Sequence, residues 1–148
     1  MSLKGKRARL SDIEFLAKKE FDGKLVTNEG TLSVTGDLAT LTANTGKDMY
    51  IARAKVTFYS NAGSTSASFA DQAVLRINGV IVETARFGFV RSGGGDGVLS
   101  YDYEFKNIGQ KVTATQIIKL EVITLDTETD IEGFIECFEE TTGETPVI

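Results

Sequence analysis

Apolar and polar residues alternate along most of this chain. In residues 49–59, Ala52, Ala54, Val56 and Phe58 fall on one side, and Ile51, Arg53, Lys55, Thr57 and Tyr59 on the other. That period of two is what a half-buried strand requires. The same alternation predicts strands at 31–34 and 38–43, joined around Gly36-Asp37, and again where Leu99, Tyr101, Tyr103 and Phe105 interleave with Ser100, Asp102, Glu104 and Lys106. Residues 74–77 and 80–90 flank Asn78-Gly79, a dipeptide suited to the two positive φ angles of a type I′ hairpin turn. Residues 112–125 form one further strand region, with Ile118, Leu120 and Val122 on a common face, and residues 131–138 close the body. Residues 61–68 read as a loop or weak edge, and 91–97 as a glycine-rich loop. The expectation is an all-β antiparallel sandwich or barrel of about eight strands, with a jelly roll favoured over an up-and-down barrel.

One segment departs from that period. Ser11-Asp12-Ile13-Glu14 is a capping box: the hydroxyl can accept the amide of Glu14, whose carboxylate can reach back to the amide of Ser11. Ile13, Leu16, Ala17 and Phe21 then share a stripe, and Gly23 can end the helix. A helix over 12–21 is too short to stand alone in water and must pack on its own body or on a neighbour. The organisation that follows is an N-terminal basic arm and amphipathic helix over 1–22, a β-sandwich over 23–138, and an acidic tail over 139–148.

Charge sharpens this picture. The first ten residues hold Lys4, Lys6, Arg7 and Arg9 and no acid. After Lys119 there is no cation, while Glu121, Asp126, Glu128, Asp130, Glu132, Glu136, Glu139, Glu140 and Glu144 follow. The stretch between them balances, so the net charge of −5 comes from the two ends. The excess of acid beyond the arm, with no aromatic residue in the arm to stack on bases, argues against direct nucleic-acid binding. The positive N-terminus lacks the apolar run of a signal peptide, and no stretch approaches the roughly 18 apolar residues of a membrane span. A single cysteine, Cys137, leaves no internal disulfide to form.

Candidate chemistry is sparse. The chain has no histidine, which removes the commonest general base and the commonest zinc ligand. Cys137 therefore has no imidazole to activate it, and its apolar strand makes it an inert core thiol. Alternate carboxylates in 126–132 could gather Ca²⁺, but the segment lacks the EF-hand glycine and terminal glutamate, and a solvated acidic loop is the simpler reading. The run 92–97 precedes a strand and Gly46-Lys47 lacks an upstream glycine at phosphate-loop spacing, so neither predicts a phosphate cradle. No carboxylate pair stands out. The expectation is a non-enzymatic protein with no cofactor and no metal.

The entry to the long strand, Gly46-Lys47-Asp48-Met49-Tyr50-Ile51-Ala52-Arg53-Ala54, and the last strand, Ile131-Glu132-Gly133-Phe134-Ile135-Glu136, resemble segments of small jelly-roll accessory proteins of tailed bacteriophages and related viruses, of the head-decoration and fibre type. The resemblance implies a trimer seated on the capsid exterior, with an N-terminal extension gripping the major capsid protein or a neighbouring subunit. On that basis Lys4, Lys6, Arg7, Arg9, Ile13, Leu16 and Phe21 are the expected partner-binding residues, acting as one docking element. The alternative is a carbohydrate- or receptor-binding module of a fibre or spike, with Tyr59, Tyr101 or Tyr103 as candidate aromatics in a groove.

Overall fold

A computed structural model describes residues 24–60, 67–90 and 99–141. The expected arm and helix, the glycine-rich loop 91–97 and residues 142–148 lie outside them. Nine strands form: β1 (Lys24–Leu32), β2 (Gly36–Thr42), β3 (Lys47–Ser60), β4 (Ala67–Ile77), β5 (Val80–Val90), β6 (Leu99–Glu104), β7 (Lys111–Val112), β8 (Ile117–Thr124) and β9 (Thr129–Thr141).

The chain is doubled about Asn78-Gly79, whose φ angles of 49° and 84° are those of the expected turn. Outward from that hairpin, β4 pairs with β5, β3 with β6, β2 with β8 and β1 with β9, all antiparallel. Rolling this double ribbon brings β9 beside β3 and β8 beside β4. The result is a jelly roll: a larger sheet β1-β9-β3-β6, to which β7 adds a short pairing on β3, faces a smaller sheet β2-β8-β4-β5.

Alternation fills the space between the sheets. Ile118, Leu120 and Val122 of β8 face Val56, Phe58, Ile131 and Ile135 of the larger sheet in one buried cluster. Phe58, with none of its surface exposed, stacks on Phe87 of the opposite sheet at 5.3 Å between ring centres, which ties the layers together.

Three features differ from the sequence reading. In β3, a bulge between Ile51 and Arg53 inserts Ala52 as an extra residue opposite β9. The bulge reverses the phase of the strand, so Met49 and Ile51 join Ala54, Val56 and Phe58 inside. The single strand expected over 112–125 is two pieces. Thr115, at φ 71°, turns the chain while its amide bonds the carbonyl of Ala43 at 2.8 Å, carrying the chain from the larger sheet to the smaller one. The last strand continues past Phe138 to Thr141, so Glu139 and Glu140, expected in the tail, lie in β9. Both are buried, and the Glu139 carboxylate accepts from Asn44 Nδ2 at 3.1 Å; cross-strand pairing with β3 outweighs the poor strand propensity of two adjacent acids.

Candidate functional site

Pairing register lays out the outer face of the larger sheet in rows. Because Ile131, Ile135 and Cys137 of β9 point inward, Glu132, Phe134 and Glu136 point outward. One row across the strands reads Glu29, Phe134, Lys55, Glu104; the next reads Thr31, Glu132, Thr57, Asp102. Thr27, Glu136 and Arg53 form the row on the other side of Phe134. An open groove of about 520 Å³ runs between the first two rows over β1, β9 and β3.

Its floor is the backbone of Gly30 and Gly133, which are register partners. On the inner side these glycines let Leu38 of β2 come close. A Cβ on Gly30 would run into the Leu38 carbonyl, and one on Gly133 would lie 2.8 Å from the Leu38 side chain. A larger residue at either place would force the two layers apart.

The cations of this face are committed to one side. Arg53 Nε donates to Glu104 at 2.6 Å, with its guanidinium 5.2 Å from the centre of the Phe134 ring. Lys55 Nζ lies 3.3 Å from Asp102, which also accepts from the Thr57 hydroxyl at 2.7 Å. The Thr57 bond, joined by Lys55, holds the Asp102 carboxyl below the usual aspartate range. Both cations thus lean toward β6. On the β1–β9 side, Glu132 accepts from the Tyr59 hydroxyl at 2.6 Å, and that bond raises the Tyr59 hydroxyl above its ordinary value. Glu29, Glu132 and Glu136 have no ion pair among the described residues. The groove therefore combines an aromatic ring, two threonines and an uncompensated set of carboxylates. Such a surface can hold a cation, or hydrogen-bond a polar ligand lying against a ring.

The expected partner-binding residues Lys4, Lys6, Arg7, Arg9, Ile13, Leu16 and Phe21 lie outside the described residues. Of the three candidate tyrosines, only Tyr59 belongs to this face. Tyr101 stacks on Phe87 at 5.9 Å. Tyr103 packs edge-on against Phe105 and donates its hydroxyl to Glu83 at 2.7 Å, which with burial pushes that hydroxyl up to about 12. These two lie on the β5–β6 side of the sandwich, away from the groove over β1, β9 and β3.

The acidic segment 126–132 divides. Asp126 Oδ1 accepts the amide of Glu128 at 2.9 Å, and its own amide bonds Asp71 at 2.6 Å. Asp130 and Glu132 pass onto the outer face through β9. Among the described residues no three acidic, cysteine or histidine groups gather as a metal site. Cys137 is fully buried, and burial pushes its thiol up to about 12, in keeping with an inert core thiol. Phe134 and Glu29 are the residues that sequence reasoning missed. The signal for the first was present in the alternation of Asp130, Glu132, Phe134 and Glu136, which puts a ring among acids on one face.

No family model matches the chain, and no curated protein matches it. Among solved structures, a family 35 carbohydrate-binding module from Clostridium thermocellum aligns over 78% of this chain and 91% of its own at 13% identity and a TM-score of 0.32. A CBM36 domain of a xylanase from the hindgut metagenome of Trinervitermes trinervoides covers 84% of this chain and all of its own at 18% identity and a TM-score of 0.31. A chain of infectious bursal disease virus, Gx strain, is covered over 34% of its length by 84% of this one at 13% identity and a TM-score of 0.38. Similarity at this level carries no argument about function.

Proposed function

We propose that this protein is a non-enzymatic structural protein that works by assembly, as a decoration protein binding the major capsid protein on the exterior of a viral shell. The larger sheet's outer face would be one contact surface, and residues 1–22 the other. One observation carries the reading: the β1–β9 side presents Glu29, Glu132 and Glu136 around Phe134 with no ion pair among the described residues, since Arg53 and Lys55 pair with β6, in a chain whose first ten residues hold four cations and no acid. Opposed charge of this kind steers association and fixes register between partners. Trimers are the expected oligomer. Sedimentation of the intact chain at low and high salt tests the reading. Association that weakens as salt rises supports it, and a monomer under every condition overturns it. Labelling of purified virions with an antibody to the protein tests the location.

A second reading, a carbohydrate- or receptor-binding module, is favoured by the groove itself. Phe134 offers a flat apolar surface, and Thr31, Thr57, Glu29 and Glu132 offer hydroxyls and acceptors around it. Its volume is that of a small-molecule site. A glycan array with the intact protein and with Phe134→Ala tests this reading; it fails if no glycan binds, or if binding survives the substitution.

A further inference from the structure

We propose that the groove beside Phe134 receives residues 4–9 of a neighbouring copy of this chain, with one pair of its cations, Lys4 and Lys6 or Arg7 and Arg9, set against the rows of Glu29, Glu132 and Glu136. The inference rests on the assembly reading, which supplies the neighbouring copy. Charge is the first argument. Arg53 and Lys55 are paired with Glu104 and Asp102, so Glu29, Glu132 and Glu136 have no ion pair among the described residues and are open to a cation from elsewhere.

Spacing is the second argument. Glu132, the Glu29–Phe134 row and Glu136 stand at successive two-residue steps along the sheet, about 7 Å each. In an extended segment, Lys4 and Lys6 project to one side and Arg7 and Arg9 to the other, each pair separated by the same step of about 7 Å. An extended arm laid along β9 therefore brings two cations into register with two of the acidic rows. The Phe134 ring accommodates the aliphatic stems between them.

Reach is the third. Residues 10–23 separate Arg9 from Lys24 at the start of β1. They span up to roughly 50 Å extended, and about 30 Å if residues 12–21 are helical. Either length lets the arm leave its own body and cross to a subunit packed against it.

The test uses the full chain in three forms. One carries Glu29→Lys, Glu132→Lys and Glu136→Lys; the second carries Lys4→Glu, Lys6→Glu, Arg7→Glu and Arg9→Glu; the third carries both sets. Sedimentation or native mass spectrometry at low salt should show each single set weakening self-association by at least about tenfold. The chain carrying both sets should associate as the wild type does, which also establishes that the reversed surfaces fold; mixed with the wild type it should sort into separate oligomers, because every contact between the two kinds sets like charge against like. Rising salt should erase the differences. Unchanged association of the face-reversed chain overturns the docking while leaving the assembly reading intact. Oligomers that mix the wild type and the doubly reversed chain in statistical proportion place the arm on its own body and overturn the proposal, as does a doubly reversed chain that fails to associate. A wild-type chain that never associates defeats the assembly reading itself.

Discussion

The two outer faces of this sandwich obey the same alternation and handle charge in opposite ways. On the smaller sheet, Lys119 and Arg76 share one row while Asp37 and Glu121 share the next. The rows bond diagonally, Lys119 to Asp37 at 3.2 Å and Arg76 to Glu121 at 3.0 Å. Arg76 spends another donor on the carbonyl of Gly79 at 3.1 Å, which braces the hairpin turn. Both of these cations are thus paired within their own face. On the larger sheet Arg53 and Lys55 pair with acids of β6, leaving Glu29, Glu132 and Glu136 without an ion pair among the described residues. Strand content and burial do not separate the two faces. The charge left over after internal pairing among the described residues does: on the larger sheet it is the acid of Glu29, Glu132 and Glu136.

The most severe break of this contrast is at the groove floor. Gly30→Ala drives a methyl into the Leu38 carbonyl and should lower the unfolding free energy by about 3 kcal/mol in urea titrations. Thr40→Val, on the smaller sheet's outer face, should stay within about 0.5 kcal/mol. Next comes charge reversal. Arg76→Glu breaks the half-buried pair with Glu121 and orphans the Gly79 carbonyl, at a cost of about 1–2 kcal/mol in thermal melts. Glu29→Arg on the larger sheet should stay within about 0.5 kcal/mol, since Glu29 faces Phe134 and has Glu132 and Glu136 on its diagonals, so that the change relieves like charge.

A smaller effect separates two carboxyls, one from each sheet. Asp71 of β4 is wholly buried, and desolvation raises its pKa above 3.8 despite bonds from the Asp126 amide and the Thr129 hydroxyl. Folding thus favours its protonated form. The resulting stability is full below 3.8 and is lost as pH rises through the raised value. Asp102, on the larger sheet, has a lowered pKa, so its contribution is present above 3.8 and is lost as pH falls through the depressed value. Carboxyl resonances followed by NMR should show Asp71 titrating above 3.8 and Asp102 below it. Asp71→Asn should remove the portion of the stability profile that declines with pH. Smallest of all is Cys137→Ser: a thiol reagent should label the native protein no faster than it unfolds, and the variant should show no labelling.

Much of the fold was legible in the sequence because its strongest signals are local. Asn78-Gly79 names its own turn, and Ile118, Leu120 and Val122 declare their face within five residues. The bulge at Ala52 was not legible, because Arg53 and Lys55 keep the polar alternation running smoothly through it. Only the register against Cys137 and Glu136 shows the extra residue. The end of β9 was missed for a similar reason: Glu139 and Glu140 look like tail residues until Asp48 and Met49 of β3 pair with them. The candidate site was least legible. Glu29, Lys55, Thr57 and Phe134 are far apart in the chain and meet only through pairing across three strands. Of the tyrosines that alternation singled out, Tyr101 and Tyr103 lie away from that groove. The arm residues, named from charge and from the capping box, belong to residues that the structure does not describe.

β9 lies between β1 and β3 and follows the other eight described strands in the chain. Until it emerges from the ribosome, β1 and β3 have no hydrogen-bonded neighbour in common, while the β4–β5 hairpin can already close through short-range contacts. The larger sheet is therefore completed from its centre after all the other strands are out. A product truncated before residue 129 lacks Glu132, Phe134 and Glu136 together with the strand that aligns Glu29. Such a fragment keeps Glu29 but not the acidic row of β9, so the face forms only when the strand that closes the sheet is in place.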